Sequence, residues 1–342
     1  MGDRLAARLA REAFVILDGG LATRLEAHGA DLDNPLWSAK ILLEDPELLR
    51  AVHREWLEAG AEILATATYQ ATIPGLRAHG LAESRARGLL REAVALTRAL
   101  TIETDALVAA SIGSYGACLA DGSEYRGDYH LGAAALAEFH RDRLIELSAA
   151  APDLLAFETI PSAIEALAIA ELLTTIPGPR AWVSFSLRPH GDARELNGEP
   201  RISDGTRLRD AIAPLIAHDR IAALGVNCIA PEAVLPAIEV IASQAPGLPI
   251  VAYPNAGERW VDQRWSGQQT EIETFTALAE RWIQAGARLI GGCCRTTPAH
   301  IQALVQLRAR LASQELNYAR SNDQPRTSMR SAKCNSDGSS GT

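Results

Sequence analysis

Leu289-Ile290-Gly291-Gly292-Cys293-Cys294-Arg295 decides the reading of this chain, together with its counterpart Ile221-Ala222-Ala223-Leu224-Gly225-Val226-Asn227-Cys228. Each is a short apolar run that ends in cysteine. Adjacent residues of a regular strand point to opposite faces, so Cys293 and Cys294 reach one ion only where the strand is ending and bending. Gly291 and Gly292 permit that bend. Two strands that deliver sulfur at their carboxyl ends make Cys228, Cys293 and Cys294 candidate ligands of an open zinc site, Zn2+ with three thiolates and a position left for substrate. Two other readings stand beside it: a vicinal redox pair, or small hydrophobes packed in a core. Context favours the metal. The chain has five cysteines in 342 residues and begins Met1-Gly2-Asp3-Arg4 without a secretory pattern. A reducing, cytoplasmic setting is therefore expected, where such a cluster more often binds metal or catalyses than forms a disulfide.

Moving outward, the same grammar repeats. Phe14-Val15-Ile16-Leu17 is a continuous apolar run stopped by Asp18-Gly19-Gly20, as expected of a strand buried on both faces. Pro46 to Glu58 has helical periodicity, with Asp45 placed to cap it and Gly60 just past its end. Ile63 to Tyr69, Ala106 to Ser111, Leu154 to Glu158, Ala181 to Leu187 and Ile250 to Tyr253 read as further strands. Helical stretches separate them, at about 82–104, 132–150, 161–174, 206–217, 231–243, 271–285 and 298–312.

Eight strand-then-helix units without a break in composition predict an α/β fold, a single-domain (β/α)8 TIM barrel over residues 14–312. An open doubly wound sheet would ordinarily carry G-x-G-x-x-G after its first strand, and none is present. Residues 1–13 read as a helix acting as a lid. Residues 313–342 are rich in Ser, Asn, Asp and Arg and read as a disordered tail that includes Cys334. With 47% hydrophobic and 22% charged residues the composition is globular, and no apolar run approaches the roughly 18 residues of a membrane span. The formal charge of −9 and the absence of a basic stripe argue against nucleic acid as a partner. Hydrolase, NTPase and zincin chemistries lack their motifs: there is no G-x-S-x-G, no G-x-x-x-x-G-K-[ST] and no H-E-x-x-H.

In a barrel of this kind, function sits at the carboxyl ends of the strands. Asp18, Tyr69, Glu158 and Asn255 end strands there, as the cysteines do, so each is a candidate for the site; the alternative is that they cap turns or pack. Long segments at 112–129, 188–205 and 256–269 follow strands on that face and read as binding loops or lids. The first carries Tyr115, Tyr125 and Tyr129 among Asp121, Glu124 and Asp128, a composition suited to a cationic ligand. His53 and His300 are expected on helix surfaces.

Taken together, Leu17-Asp18-Gly19-Gly20, Leu36-Trp37-Ser38-Ala39-Lys40, Ala67-Thr68-Tyr69-Gln70-Ala71, Tyr125-Arg126-Gly127-Asp128-Tyr129, Glu158-Thr159, Gly225-Val226-Asn227-Cys228 and Gly291-Gly292-Cys293-Cys294-Arg295 resemble the homocysteine S-methyltransferase family over about residues 14–312. The resemblance implies that the three cysteines hold zinc, which binds the homocysteine thiolate, and that a small-molecule methyl donor completes the reaction. The segments 36–40 and 125–129 look most like the branch that uses S-methylmethionine or S-adenosylmethionine. It further implies that Asp18 and Glu158 grip the substrate ammonium, with Tyr69, Asn227 and Asn255 in the substrate site. The turn at Gly19 and Gly20 offers backbone N–H groups to its carboxylate. A selenocysteine or other thiol acceptor is the near alternative, and a non-catalytic zinc- or thiol-binding barrel is the alternative from another class.

Overall fold

Apolar runs that are buried on both faces leave a parallel strand nowhere to go but between an inner filling and an outer ring of helices. The computed structural model shows that arrangement; it describes residues 3–32, 34, 36, 38–188, 198–261 and 264–322, with side chains for these except 259–261, 264–265 and 315–322. The strands are β1 (Val15–Ile16), β2 (Ile63–Ala65), β3 (Leu107–Gly113), β4 (Leu154–Ile160), β5 (Ala181–Phe185), β6 (Ile221–Asn227), β7 (Ile250–Tyr253), β8 (Arg259–Val261), β9 (Arg264–Ser266) and β10 (Ala287–Ile290). Eight of them form one parallel sheet in the order β1-β10-β7-β6-β5-β4-β3-β2. The pair β8-β9 is a separate hairpin in the segment after β7.

The sheet closes on itself. Leu17 bridges Ile63 in parallel, the Asp18 N–H donates to Ile63 O at 3.0 Å, and the Glu62 N–H donates to Ile16 O at 2.7 Å. Alternation within each strand sorts the side chains into two shells. Val15, Leu17, Ile63, Leu107, Leu154, Trp182, Val251, Tyr253 and Leu289 fill the barrel. Their neighbours Ile16, Leu64, Val108, Leu155, Val183, Leu224, Ala252 and Ile290 pack outward under the helices. The first long helix, Pro46–Ala59, starts and stops as its sequence dictates: Asp45 accepts from the Leu48 N–H, and Gly60 ends it at φ 103°.

Three expectations need correction. The amino-terminal helix spans Arg4–Leu9 and lies at the amino ends of the strands, opposite the cysteines, so it is a plug and not a lid on the active face. Leu5 enters the inner cluster. Arg4 and Arg8 pair at 2.7 Å with Asp153 and Glu62, which precede β4 and β2. The helix expected at 206–217 is reduced to Leu208–Ile212, because Pro214 has no N–H to carry the ladder onward. The last helix runs from Pro298 to Asn322, ten residues past the expected boundary, since no Gly or Pro interrupts its interior. The rest of the expected tail, residues 323–342 with Cys334, lies outside the described residues.

Leu5 is 3% exposed inside the barrel mouth. Leu5→Ala is expected to cost about 2–5 kcal/mol of unfolding free energy while leaving any metal held by the cysteines at the far face unchanged. Chemical denaturation paired with metal analysis checks this; a loss of metal would show that the plug communicates with the far face.

Candidate metal centre

Cys228 follows β6, and Cys293 and Cys294 follow β10, with β7 lying between those two strands. The backbone after β7 stitches both ends together. The Cys228 N–H donates to Tyr253 O at 3.2 Å, the Cys293 N–H to Pro254 O at 2.8 Å, and the Ala256 N–H to Cys294 O at 3.1 Å. As a result the three sulfurs lie within 4.8 Å of one another, with Cys228 Sγ and Cys294 Sγ 3.5 Å apart. Tetrahedral zinc with bonds of about 2.3 Å sets its sulfurs roughly 3.8 Å apart, so the cluster fits a thiophilic ion with little movement. Tyr125 Oη stands 3.0 Å from Cys228 Sγ. Hydrogen bonds from Cys293, Cys294 and Tyr125 hold the Cys228 thiol well below its ordinary pKa, and the same sharing pushes Cys293 and Cys294 up. One thiolate is thus already favoured before a metal compensates the others.

The glycines act differently from the expected bend. Neither Gly291 nor Gly292 has a positive φ. A Cβ on Gly291 would stand 2.5 Å from Leu17 Cβ, and one on Gly292 would stand 2.3 Å from Thr296 Oγ1. Close approach is what excludes side chains there. The left-handed conformations belong instead to Cys228 at φ 54°, Arg295 at 68° and Thr159 at 57°. For β-branched Thr159 that is a real strain, of the kind that collects at functional sites.

Beside the sulfurs lie two buried carboxyls. Asp18 Oδ2 accepts from the Ala65 N–H at 2.8 Å. Glu158 accepts from Tyr253 Oη at 2.9 Å and from Ser111 Oγ. Burial pushes Asp18 well above the usual carboxylate range, and the charge of Glu158 adds to this. Burial also raises Glu158 to about 7, against the bonds from Ser111 and Tyr253. Among the described residues neither carboxyl forms an ion pair.

The other expected residues divide. Asn227 serves the adjoining turn: its Oδ1 accepts from the Thr159 N–H at 2.8 Å and from Ser184 Oγ at 2.7 Å, while Nδ2 donates to Thr159 Oγ1. Asn255 is 7% exposed, and its Oδ1 has no partner among the described residues. Tyr69 lies past the end of β2, its ring against Gly113. A Cβ on Gly20 would stand 2.6 Å from Cys293 O, and the Gly20 N–H reaches Thr296 Oγ1 at 3.3 Å. Gly19 lies against Trp56. Trp37 lies outside the described residues.

Sequence reasoning missed the second layer. Tyr253 Oη is held by Trp182 Nε1 at 3.0 Å and Ser184 Oγ at 2.6 Å, all inside the barrel. Under the loop after β3, Glu165 accepts from the Tyr115 N–H at 2.7 Å, from His140 Nε2 at 2.7 Å and from Tyr129 Oη. Arg143 completes the set through Tyr69 O at 3.2 Å and Gly113 O at 2.6 Å. The one sequence signal was that helices 133–149 and 163–175 carry charge on faces that should be apolar. His53 and His300 are likewise not on the surface: exposures are 0% and 4%, and burial lowers the His53 pKa to about 4.

Comparison with known proteins agrees with this geometry. The family profile described as homocysteine S-methyltransferase matches residues 15–307. A homocysteine S-methyltransferase of Escherichia coli (strain K12) is 46% identical over 310 residues, 88% of this chain and 97% of its own. A selenocysteine Se-methyltransferase of Brassica oleracea var. italica is 41% identical over 320 residues, 85% of this chain and 88% of its own. The metallated crystal structure of the homocysteine methyltransferase MmuM from Escherichia coli superposes with a TM-score of 0.77 at 45% identity, covering 90% of this chain and 99% of that one.

Each of Cys228→Ala, Cys293→Ala and Cys294→Ala is expected to lose bound metal, whereas Cys118→Ala, whose thiol meets Thr72 at 3.4 Å, keeps it. Elemental analysis of the purified variants decides this. Full metal content in the Cys294 variant would return that residue to a packing or redox role.

Proposed function

The chain belongs to the homocysteine S-methyltransferase family, and on that premise we propose how its own residues move a methyl group from a sulfonium donor, S-methylmethionine or S-adenosylmethionine, to L-homocysteine, giving methionine. It is a methyltransferase acting on small molecules. The observation that carries the assignment of roles is the pairing of three converging sulfurs with two buried carboxyls that lack a cation. A barrel that merely stored metal would have no use for that second feature.

Zinc held by Cys228, Cys293 and Cys294 would supply the Lewis acidity that keeps a thiol of ordinary pKa about 8.5 deprotonated at neutral pH. The protein's part is to bind and aim. Asp18 and Glu158 receive the ammonium of the acceptor, which brings the positive charge that they lack. Tyr253 and Ser111 fix the Glu158 carboxylate, and the Ala65 N–H fixes Asp18. Asn227 acts through Thr159, holding the turn that directs Glu158. The backbone at Gly19 and Gly20 faces the acceptor carboxylate, with Asn255 and Tyr69 completing the walls. Holding the acceptor by both ends leaves its sulfur one position from which to attack, and that orientation is the main source of rate.

A selenol acceptor is the second reading, prompted by the Brassica relative; the same thiolate-directed site would serve a selenolate. Among the described residues four cysteines are free and buried or half-buried, which suits a reducing compartment, and we place the enzyme in the cytoplasm. Among the described residues no helix is long and apolar enough to cross a membrane.

Asp18→Asn and Glu158→Gln are each expected to raise the homocysteine KM by roughly 10- to 150-fold, the equivalent of about 1.5–3 kcal/mol for a charge-assisted hydrogen bond. Metal content should remain normal. Steady-state kinetics and metal analysis on the same preparations separate this from a turn-capping role, which would move only the melting temperature.

The charge also has a cost that pH reveals. Glu158 ionises in the fold at about 7 instead of 4.5, so its contribution to stability is complete below its unfolded pKa and is lost as the pH rises through about 7. Without substrate, Glu158→Gln should therefore melt above wild type at about pH 8, with the gap narrowing towards about pH 5. A gap independent of pH would mean that the carboxyl is not buried as an uncompensated acid.

A further inference from the structure

The loop after β3 carries a group that the roles above leave unused. Glu124 sits in the short 3-10 turn Ser123–Tyr125, next to the tyrosine that touches Cys228. Its backbone is fixed from two sides. Ser186 Oγ donates to Glu124 O at 2.7 Å, and a Cβ on Gly116 would stand 2.6 Å from Glu124 N. Glu124 Oε2 is buried and meets no hydrogen-bond donor among the described residues. The neighbouring cation does not pair with it, since Arg126 faces Asp121 at 3.6 Å and Asp128 at 3.4 Å. Burial, with the charge of Cys228 adding to it, pushes the carboxyl up to about 7. It also lies within electrostatic reach of the Tyr69 and Tyr125 hydroxyls.

Leaving a buried carboxylate oxygen without a partner is costly, and such groups persist where a ligand supplies what is missing. Besides the acceptor ammonium, the donor brings both its own ammonium and its positive sulfur to this mouth. Asp18 and Glu158 serve the acceptor ammonium, while nothing yet serves the positive sulfur of the donor. We infer that Glu124 is the counter-charge for the donor sulfonium, with the hydroxyls of Tyr69 and Tyr125 nearby, and that it selects sulfonium donors over analogues uncharged at that position. The inference rests on the methyl-transfer reading above.

In the transfer, the bond from donor sulfur to methyl breaks and both its electrons stay on that sulfur. A lone pair of the acceptor thiolate forms the new sulfur–methyl bond. The two charges cancel, no proton moves and Glu124 is unchanged. Its attraction therefore exists before transfer and disappears with the sulfonium charge. An interaction stronger in the ground state than in the transition state aids binding and does not raise turnover. Glu124 should accordingly govern donor affinity and let the neutral product leave.

The experiment uses metal-loaded enzyme, S-methylmethionine, and the neutral carbon isostere in which CH replaces the sulfonium sulfur. Glu124→Gln is expected to raise the S-methylmethionine KM about tenfold or more, with kcat unchanged or higher and the homocysteine KM within about twofold. The inhibition constant of the isostere, measured as a competitor of S-methylmethionine, should stay within about twofold, because it keeps the ammonium but has no sulfonium charge for Glu124 to lose. Glu124→Asp should recover part of the donor affinity. Calorimetric titration of wild type with each ligand gives the same comparison without a variant, and S-methylmethionine should bind about tenfold tighter than the isostere. Equal weakening of both ligands by the glutamine would assign Glu124 to the donor ammonium and overturn the proposal. Equal affinity of both ligands for wild type, or an unchanged donor KM in the variant, would overturn it as well. Wild type that binds S-methylmethionine selectively yet methylates nothing would instead fail the reaction assignment and leave the charge recognition standing.

Discussion

Two adjacent cysteines and a third from a strand two places away must face one point, and the rest of the site is arranged around that demand. A regular strand cannot satisfy it, because its neighbouring side chains diverge. The solution lies in β7, whose residue Tyr253 is in register with Asn227 and whose continuation takes hydrogen bonds from both cysteine segments. Cys228 takes up the geometry with φ 54° and Arg295 with 68°. Such conformations cost on the order of 1–3 kcal/mol each and survive only where surrounding contacts overdetermine them. Arg295 has that support: its N–H donates to Thr23 Oγ1 at 3.0 Å and its guanidinium pairs with Glu258 at 2.9 Å.

The same economy governs the carboxylates. Asp18 lies on the seam where β1 meets β2, so the residue that marks barrel closure also faces the site. Glu158 ends β4, and its orientation is transmitted through Tyr253 to Trp182 and Ser184 in the barrel interior. A polar chain of this kind is an unusual filling for a core. It is tolerated because each described member finds a partner, and unpaired polar groups would be far costlier in the same surroundings. The barrel interior is thus stability at its lower end, where Leu5 plugs it, and orientation at its upper end.

How much of this was legible in the chain depended on the range of the physics involved. The barrel was readable because burial on both faces writes itself into each strand locally, as Phe14-Val15-Ile16-Leu17 and Ile221 to Val226 show. The cysteines were readable because thiols at strand ends have few uses. Tyr253 was not, and Tyr125 was singled out in its loop without its contact to sulfur, since both depend on partners about a hundred residues away, Glu158 and Cys228. His53 and His300 misled for a related reason: residue-type exposure is an average, and a helix face against the barrel overrides it. Gly291 and Gly292 were identified correctly but for the wrong cause, because sequence shows the missing side chain and not what occupies its place.

Charge ties the site to its chemistry. Three thiols, Asp18, Glu158 and Glu124 lie within electrostatic reach of one another, and the three carboxyls are displaced upward because burial has removed the water that would stabilise their ions. Such a site resists becoming fully ionised alone, so each cation that enters strengthens the case for the next ionisation. On the proposed roles a metal would let the thiols ionise, an ammonium would do so for Asp18 and Glu158, and a sulfonium for Glu124. With a sulfonium donor, as proposed, the reagents are an anionic sulfur and a cationic sulfur, and water screens the attraction that brings them together. Moving both into a dry, acid-lined pocket keeps that attraction strong until the methyl has crossed. Once the charges cancel, the pocket is left with an excess of negative groups and a neutral thioether, and the electrostatics that assembled the complex no longer hold it.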